Sequence, residues 1–439
     1  MTVKILHYYL FIGVALHVIF APWVGYEYLD IYMFNVVSIV IYYIVLLLIK
    51  GLNIGDKKIV FITVFSYSIL AVVTLNFISF YTTGNYYVFS DVDAIYYHDM
   101  AIAGTGKDIF QSINYYIQRV NFDDLGMVIV LRVVYSLAES NLLFNFFNIV
   151  IGSTISVLIF SICKNIMNRK MAALCAVSYG ISSYMLWFYS SGLKESFMLL
   201  VIVLSFHQYY NGHRKISNLR LYIFPALLLV FRPAITVFIL ASIFFRRLIA
   251  DRYLINKIAI SLVVLGGVSF FYSFLETYVN NITGGGTFET LVYVKESTGQ
   301  IKGSIPFVYG VNAIAQMMGP LPTVLPTYSP VAFYSSGLFF RVLLAFPFWY
   351  GVLYVIRYGE YYLLPMVLFV LFEMFSLFII FEGLELRKSL PHLPFVYIIS
   401  FWFMDTYKSM PSNRKKRIKI MLIFYSIFVT FILIFWNLR

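Results

Sequence analysis

The sequence is short of charged residues and of cysteine, and each shortage excludes a class of protein. Only 12% of its 439 residues are Asp, Glu, Lys or Arg, whereas 61% are hydrophobic and 20% are aromatic. A soluble protein of this length could not cover its surface with so few charges, which excludes a water-exposed globular fold. The two cysteines, Cys163 and Cys175, have no metal-ligand spacing, so free thiols are expected. The sequence contains neither an internal repeat nor a low-complexity tract.

Long apolar runs are abundant in the sequence. The mean hydropathy is +0.84, and runs near the roughly 20 residues that cross a bilayer recur from end to end. They predict an all-α, polytopic transmembrane bundle of about 12–13 spans, which forms a single integral membrane domain over residues 1–439. The predicted spans are residues 4–24, 31–50, 59–82, 141–163, 171–189, 196–211, 221–245, 258–278, 337–356, 361–381, 390–407 and 418–436. The first run lacks a clear small-residue cleavage site and is followed by further spans, so we interpret it as a retained helix and not as a signal peptide.

Basic residues predict the orientation of the bundle, because the cytoplasmic loops of membrane proteins are rich in Lys and Arg. Such residues follow the second, fourth, sixth and seventh runs, and the stretch KSMPSNRKKRIK precedes the last one. All of these connections are cytoplasmic at once if 221–245 enters and leaves the membrane on the same side. The N-terminus is then cytoplasmic, and two long segments, 83–140 and 279–336, are extracytoplasmic. Cytoplasmic basic loops also explain the net charge of +12, so no nucleic-acid partner is expected.

The run 221–245 is predicted to be a broken pair of short helices. Its centre is FRPA, which would place Arg232 near the middle of the membrane at considerable cost. Pro233 also disfavours helical structure at the residue before it. Two short helices that meet at Arg232–Pro233, with the arginine in a polar cavity, resolve both problems. The alternative is a single kinked helix whose arginine extends to the membrane surface.

The external loops are predicted to carry interfacial helices. Within the first extracytoplasmic segment, the stretch GMVIVLRVVYSLA (126–138) is apolar, but it is too short to span a membrane. Arg132 also interrupts it. Residues 104–140 are therefore expected to form amphipathic helices that lie along the membrane interface.

Acidic residues are concentrated on the predicted outer face. The stretch SDVDAIYYHDMA places Asp91 and Asp93 near the start of a predicted helix. Such a pair can accept a proton from a hydroxyl group or coordinate a divalent cation such as Mg²⁺ or Mn²⁺. The alternative is a solvated helix start that is capped by Ser90 or Asp91. No other metal site is predicted.

Basic residues on the same face complete a candidate site. Cationic side chains there can bind a phosphate, although such charges also mark the lipid boundary. The candidate binding residues are Tyr97, His98, Lys194, Glu195, Arg232, Arg387, Lys388 and His392. Acids beside a separate basic cluster are what an enzyme needs to activate an acceptor and to hold an anionic leaving group.

Four motifs together resemble the membrane-embedded glycosyltransferases of the GT-C superfamily, over roughly residues 60–407. The motifs are SDVDAIYYHDMA, SSGLKES, LVFRPAITVFIL and LELRKSLPHLPFVYIIS. The resemblance implies a GT-C-like bundle in a bacterial inner membrane with its active site on the extracytoplasmic face. It also implies a polyprenyl-phosphate-linked sugar donor and a glycan or lipid-linked acceptor, in cell-surface polysaccharide assembly.

The resemblance also implies roles for individual residues. Asp91 or Asp93 would be the catalytic base or contact the acceptor, and Tyr97 and His98 would line the same cavity. The residues implied to hold the lipid phosphate are Lys194, Arg232 and Arg387, with His392 nearby.

Two alternative functions remain open at the level of the sequence. A capsule or O-antigen repeat-unit polymerase uses the same chemistry but joins whole repeat units. A flippase for lipid-linked oligosaccharides, or another transporter, belongs to a different class. The transporter hypothesis predicts charges throughout the bundle interior, whereas the polar residues of this sequence are concentrated on one face.

Overall fold

In a computed structural model of the chain, the regular elements of the described residues are all helices. The described residues are 1–51, 56–84, 92–211, 219–250, 305–324, 331–379 and 387–438. No strand is present in these ranges, which confirms the predicted all-α class. Asp91, the predicted span 258–278 and the first part of segment 279–336, which is predicted to be extracytoplasmic, lie outside the described residues.

The described ranges contain seventeen α-helices, which we number in chain order. They are α1 (Thr2–Phe20), α2 (Leu29–Gly51), α3 (Lys57–Thr83), α4 (Val92–Ala103), α5 (Ile109–Ile117), α6 (Leu125–Tyr135), α7 (Asn141–Cys163), α8 (Arg169–Gly180), α9 (Ser183–Ser190), α10 (Glu195–Asn211), α11 (Arg220–Leu227), α12 (Pro233–Ala250), α13 (Ile305–Met318), α14 (Val331–Tyr358), α15 (Leu364–Ile379), α16 (Leu393–Thr406) and α17 (Ser412–Asn437). Short 3₁₀ turns extend several of them.

Six of these helices are long and apolar enough to cross a membrane alone, namely α1, α2, α3, α7, α14 and α17. Helices α8 and α9 are bent by 47° at a short break, and this pair has the length and composition of either a broken seventh span or a re-entrant loop. Helices of this length and composition indicate an integral membrane protein in a lipid bilayer. The predicted total of 12–13 spans stays a prediction, because α10, α15 and α16 have only 17, 16 and 14 residues.

Contacts between helix termini define two ends of the bundle. The backbone N–H of Asn168 at the start of α8 donates to Asp405 near the end of α16, at 2.9 Å. The Tyr210 hydroxyl at the end of α10 donates to the Tyr362 carbonyl before α15, at 2.7 Å. Both contacts lie at one end of the bundle, which we call the basic end. The residues that mark it are Lys50, Arg169 and Lys408. The opposite end, which we call the acidic end, is marked by Asp93, Glu195 and Arg387.

The predicted break at Arg232–Pro233 is confirmed. Helix α11 ends at Leu227, a 3₁₀ turn covers Leu228–Val230, and α12 begins at Pro233. Arg232 therefore lies in the connection and not in a continuous helix.

The two short helices form a hairpin that returns to the end from which it starts. The Thr236 hydroxyl donates to the Pro225 carbonyl at 2.8 Å, which joins α12 to α11. Near the other end of α12, Arg246 donates to the Tyr361 carbonyl at the basic end. Helix α10, which precedes the hairpin, also ends there. This path agrees with the prediction that residues 221–245 enter and leave the membrane on the same side.

Helix α6 confirms that the stretch 126–138 is too short to span a membrane, since it covers only 11 residues. Its arginine is buried, and the guanidinium donates to three backbone carbonyls in the turn that follows α4. The acceptors are Gly104, Thr105 and Lys107, at 3.0, 3.3 and 2.8 Å. These bonds explain how Arg132 fits within an apolar run, because backbone carbonyls of the turn accept from its buried guanidinium.

The two cysteines are free thiols, as the sequence predicts. Cys163 at the end of α7 and Cys175 in α8 are both buried. Their sulfur atoms lie 3.8 Å apart, which is well beyond the bond length of a disulfide. They act as small apolar residues where the two helices pack.

Close packing of α7 against α9 leads to a first prediction. A Cβ atom at Gly152 would overlap the ring of Tyr189, which is fully buried. We expect Gly152→Ala to destabilise the protein by about 1–3 kcal/mol, because overpacking forces buried side chains out of place. The thermal stability of detergent-purified protein measures this effect. Gly51→Ala is the matched control, since no atom of the described residues lies within 4 Å of the added methyl group, and equal stability of the two variants would contradict the packing of α7 against α9.

Candidate functional site

Arg387 is held between two carboxylates from distant parts of the chain. It lies in the 3₁₀ turn Arg387–Ser389 that precedes α16. Its Nη1 donates to Asp93 Oδ2 at 2.7 Å, and its Nε donates to Glu195 Oε1 at 3.1 Å. Asp93 is in the first turn of α4, and Glu195 begins α10. The structure therefore brings together three segments that the sequence analysis selected separately.

The two carboxylates differ in their access to solvent. The Glu195 side chain is 0% exposed, the Arg387 side chain 18%, and the Asp93 side chain 47%. Glu195 Oε2 is buried and has no hydrogen-bond partner in the described part of the chain. Glu195 thus fixes the arginine from the buried side, within the bundle. Asp93 is the carboxylate that an incoming molecule can reach from solvent.

A second ion pair lies beside the first. The Lys194 ammonium contacts Asp124 Oδ1 at 2.5 Å and donates to the Asp123 carbonyl at 2.9 Å. The Tyr97 hydroxyl donates to the same Oδ1 atom of Asp124 at 2.6 Å. Both Lys194 and Tyr97 are buried. Asp124 precedes α6, so this pair attaches the chain before α6 to the start of α10.

Tyr97 lies within the electric field of both ion pairs. Burial raises the pKa of its hydroxyl well above the usual value, and the hydrogen bond and charge of Asp124 raise it further. The charges of Glu195 and Asp93 raise this pKa as well, so all three carboxylates are near the ring. We call this group the ion-pair cluster, and its members are Asp93, Tyr97, Asp124, Lys194, Glu195 and Arg387.

The local sequence positions the cluster. Gly192 has a φ of +74°, a conformation that glycine adopts at little cost, and it turns the chain between α9 and α10. The turn brings the adjacent Lys194 and Glu195 to the start of α10. Carboxylates are favourable at helix N-termini because of the helix dipole, and both Glu195 and Asp93 occupy first turns.

A buried ionisable pair lies on neighbouring helices. His392 Nδ1 is 3.1 Å from Glu373 Oε2, and both side chains are almost fully buried. Glu373 belongs to α15, and His392 directly precedes α16. Arg232, in the connection of the α11–α12 hairpin, is near enough for its charge to act on Glu373. The predicted residue His392 thus pairs with a glutamate that was not predicted from the sequence, and the charge of the predicted residue Arg232 acts on the same glutamate.

The remaining predicted residues lie at the margins of the cluster. His98 follows Tyr97 on α4, and its Nδ1 is 2.6 Å from the Tyr135 hydroxyl on α6. Burial lowers the pKa of His98, and the charge of Asp99 partly offsets this. Lys388 is half-buried in the same 3₁₀ turn as Arg387. Functional roles for His98 and Lys388 stay predictions.

The predicted divalent cation has one described ligand at most. Asp93 already accepts from Arg387, and Asp91 lies outside the described residues. Within the described ranges, no group of three His, Cys, Asp or Glu side chains could hold a metal ion. These residues alone do not form a cation site, so we derive no chemical step through a metal.

Two acids of this region, Asp124 and Glu373, were not predicted from the sequence. Asp124 is the second acid of NFDDLG, which precedes the short apolar run of α6. Glu373 is the single charged residue of the run LLPMVLFVLFEMFSLFII, and an ionisable residue within an apolar span is a signal of function or of a specific partner. Glu373 could therefore have been selected from the sequence. Asp124 could not, because nothing in its local sequence distinguishes it from other polar loop residues.

Comparison with known proteins adds no further assignment to this geometry. A search of protein-family models and a search of curated proteins both found no match for the chain. A function for the ion-pair cluster therefore has to be argued from its own chemistry.

Proposed function

We propose that this protein is a membrane glycosyltransferase. It moves a sugar or oligosaccharide from a polyprenyl-phosphate-linked donor to an acceptor hydroxyl on the extracytoplasmic face of a bacterial inner membrane. The observation that carries the proposal is Arg387, fixed by buried Glu195 and shared with accessible Asp93. An acid and a cation at the end of an apolar helical bundle suit a donor with a charged phosphate and a lipid chain. The motifs that resemble GT-C enzymes support the same assignment.

Asp93 is the proposed catalytic base. One of its oxygens accepts from Arg387, and about half of its side chain is exposed. It takes the proton of the acceptor hydroxyl, whose oxygen then attacks the anomeric carbon of the donor sugar. As the new carbon–oxygen bond forms, the bond from the anomeric carbon to the phosphate oxygen breaks. The attack comes from the side opposite to the leaving group, so the configuration is inverted.

Arg387 is proposed to stabilise the departing phosphate. Of the carboxylates of Asp93 and Glu195, which both contact the guanidinium, the buried one is Glu195. A phosphate that enters from the surface would compete with the exposed Asp93 for Arg387, because charge pairs in solvent are weak. Glu195 would keep the arginine in place during this exchange. Donor binding would then release Asp93 to act as the base.

Lys194 and Tyr97 lie at the second ion pair of the cluster, which Asp124 completes. Asp124 neutralises Lys194 and accepts from the Tyr97 hydroxyl. The cluster holds three carboxylates and two cations, so each cation has a charged partner before the donor binds. We propose that Lys194 contributes positive charge near the phosphate, in agreement with the role that the resemblance implies.

A capsule or O-antigen repeat-unit polymerase would use the same cluster. The chemistry of transfer is identical, and the difference is whether the donor carries one sugar or a whole repeat unit. The length distribution of the product distinguishes them, since a polymerase yields a ladder of repeat units and a single-sugar transferase yields one discrete extension.

Transport is a second candidate, and the buried pair of Glu373 and His392 favours it. Both side chains lie inside the bundle, and the charge of Arg232 acts on Glu373. Ionisable groups at such positions are typical of proteins that move ions or substrates across a membrane. Under this hypothesis the ion-pair cluster would bind a lipid-linked oligosaccharide that is then moved to the other leaflet.

Reconstitution in liposomes distinguishes glycosyl transfer from transport. The purified protein is placed in liposomes that contain a polyprenyl-phosphate-linked sugar, and an acceptor glycan is supplied. We expect the sugar to become covalently attached to the acceptor, with free polyprenyl phosphate as the second product. Movement of intact donor between leaflets without any new glycosidic bond would contradict the transferase proposal and support transport. The lipid-linked intermediates that accumulate in a deletion strain would identify the donor class.

A further inference from the structure

A cavity lies at the basic end of the bundle, opposite to the ion-pair cluster. It has a volume of about 680 Å³ and lies between the end of α14 and the first turns of α17. Three arginines line it together with three tyrosines from α14. These residues are Arg357, Arg414, Arg417, Tyr350, Tyr354 and Tyr358. The proposed transferase chemistry does not use this cavity.

Two of the arginines are positioned by one aromatic ring. The guanidinium of Arg414 lies 5.2 Å from the centre of the Tyr358 ring and donates to the hydroxyl of Tyr358. The guanidinium of Arg357 lies 6.0 Å from the same ring centre. Contacts of this kind orient the planar guanidinium groups before any ligand binds.

The arginines have no acidic partner in the described part of the chain. No Asp or Glu lines the cavity, and none of the described salt bridges includes Arg357, Arg414 or Arg417. Like charges gathered in one cavity repel one another. An anion that enters the cavity would relieve this repulsion, and arginine binds phosphate through parallel hydrogen bonds.

The cavity also has an apolar wall on the outer surface of the bundle. Leu353 is 62% exposed and Met421 is 50% exposed, and both line the cavity. Exposed apolar side chains on transmembrane helices face the acyl chains of the bilayer. The cavity thus combines cations at a helix end with a surface suited to hydrocarbon, which matches a lipid better than a soluble anion.

We propose that this cavity binds an anionic phospholipid of the surrounding leaflet. Its headgroup phosphate lies between Arg357, Arg414 and Arg417, and an acyl chain lies along Leu353 and Met421. Basic pockets between transmembrane helices bind lipids of this kind. The bound lipid would stabilise the packing of α14 against α17, because it would bridge cations on both helices.

Lipid-dependent stabilisation tests the proposal. The thermal stability of the detergent-purified full chain is measured while phosphatidylglycerol, phosphatidylcholine or inorganic phosphate is added. We expect phosphatidylglycerol to raise the melting temperature, and the other two to have no effect. The double variant Arg414→Gln/Arg417→Gln should weaken the apparent affinity for phosphatidylglycerol roughly thirtyfold, since each arginine contributes about 1 kcal/mol near an anionic lipid.

A charge-matched variant of the same helix is the control. Lys416→Gln/Lys419→Gln removes two exposed cations of α17 that do not line the cavity, and it should leave the affinity unchanged. Equal losses in the two double variants would overturn the proposal in favour of general surface charge. An equal response to inorganic phosphate would overturn it in favour of a soluble anion. Because Arg414 also contacts Tyr358, Arg357→Gln is measured separately, with an expected loss of about fivefold.

Discussion

Replacing Asp93 with asparagine is expected to lower glycan transfer roughly 10²- to 10⁴-fold, which is the usual contribution of a general base. The amide has the shape of the carboxylate, but it cannot take the proton of an acceptor hydroxyl. Arg387 would keep its bond to buried Glu195, so the fold of the site should persist. The rate of sugar transfer in liposomes and the amount of protein in the membrane measure the two effects.

The same helix supplies a matched control for this variant. Asp99 lies on α4 six residues beyond Asp93 and is exposed, so Asp99→Asn should retain full activity. Asp91→Asn completes the series, because the sequence motif contains both acids. Full activity in both Asp91→Asn and Asp93→Asn, at normal abundance, would rule out a catalytic carboxylate in this motif.

Replacing Arg387 with alanine is expected to destabilise the protein by about 3–5 kcal/mol. The variant leaves Glu195 as a fully buried carboxylate without its charged partner, and an uncompensated buried charge has a cost of this size. It also removes the proposed phosphate contact, so the affinity for the lipid donor should fall more than the affinity for the acceptor. Thermal stability in detergent and donor titration in liposomes measure the two consequences.

A second substitution separates stability from function. In the double variant Arg387→Ala/Glu195→Gln the buried group is neutral, so much of the lost stability should return while donor affinity stays low. Arg119→Ala is the control, since Arg119 is exposed and its side chain contacts the nearby Tyr115. If Arg387→Ala were as stable as the parent, the buried ion pair would not contribute as described. Unchanged donor affinity in that variant would contradict the phosphate role.

Several features could be predicted because they depend on short stretches of the chain. The low charge and long apolar runs indicated a helical membrane protein, and the structure shows six helices of suitable length. The sequence FRPA predicted a break, and α12 does begin at Pro233. Arg132 and the length of its apolar run predicted a non-spanning helix, and α6 is one. In each case the relevant residues are neighbours in sequence.

The partners within the site could not be predicted in the same way. Arg387 and Asp93 are 294 residues apart, and Arg387 and Glu195 are 192 residues apart. The sequence suggested that acids and bases share one face, but nothing in it assigned Asp124 to Lys194 or Glu373 to His392. Such pairings depend on which helices are adjacent, and the apolar faces of many helices are alike.

The sequence by itself determined the class of the protein, the basic end of its bundle and the position of the helix break. Hydropathy, charge and proline act within one or two helical turns, so they can be read without knowledge of the fold. Only the tertiary structure decided that Glu195 is buried and Asp93 exposed on either side of one arginine. That difference arises because three distant segments meet at one end of the bundle, and it is what gives the two carboxylates different proposed roles.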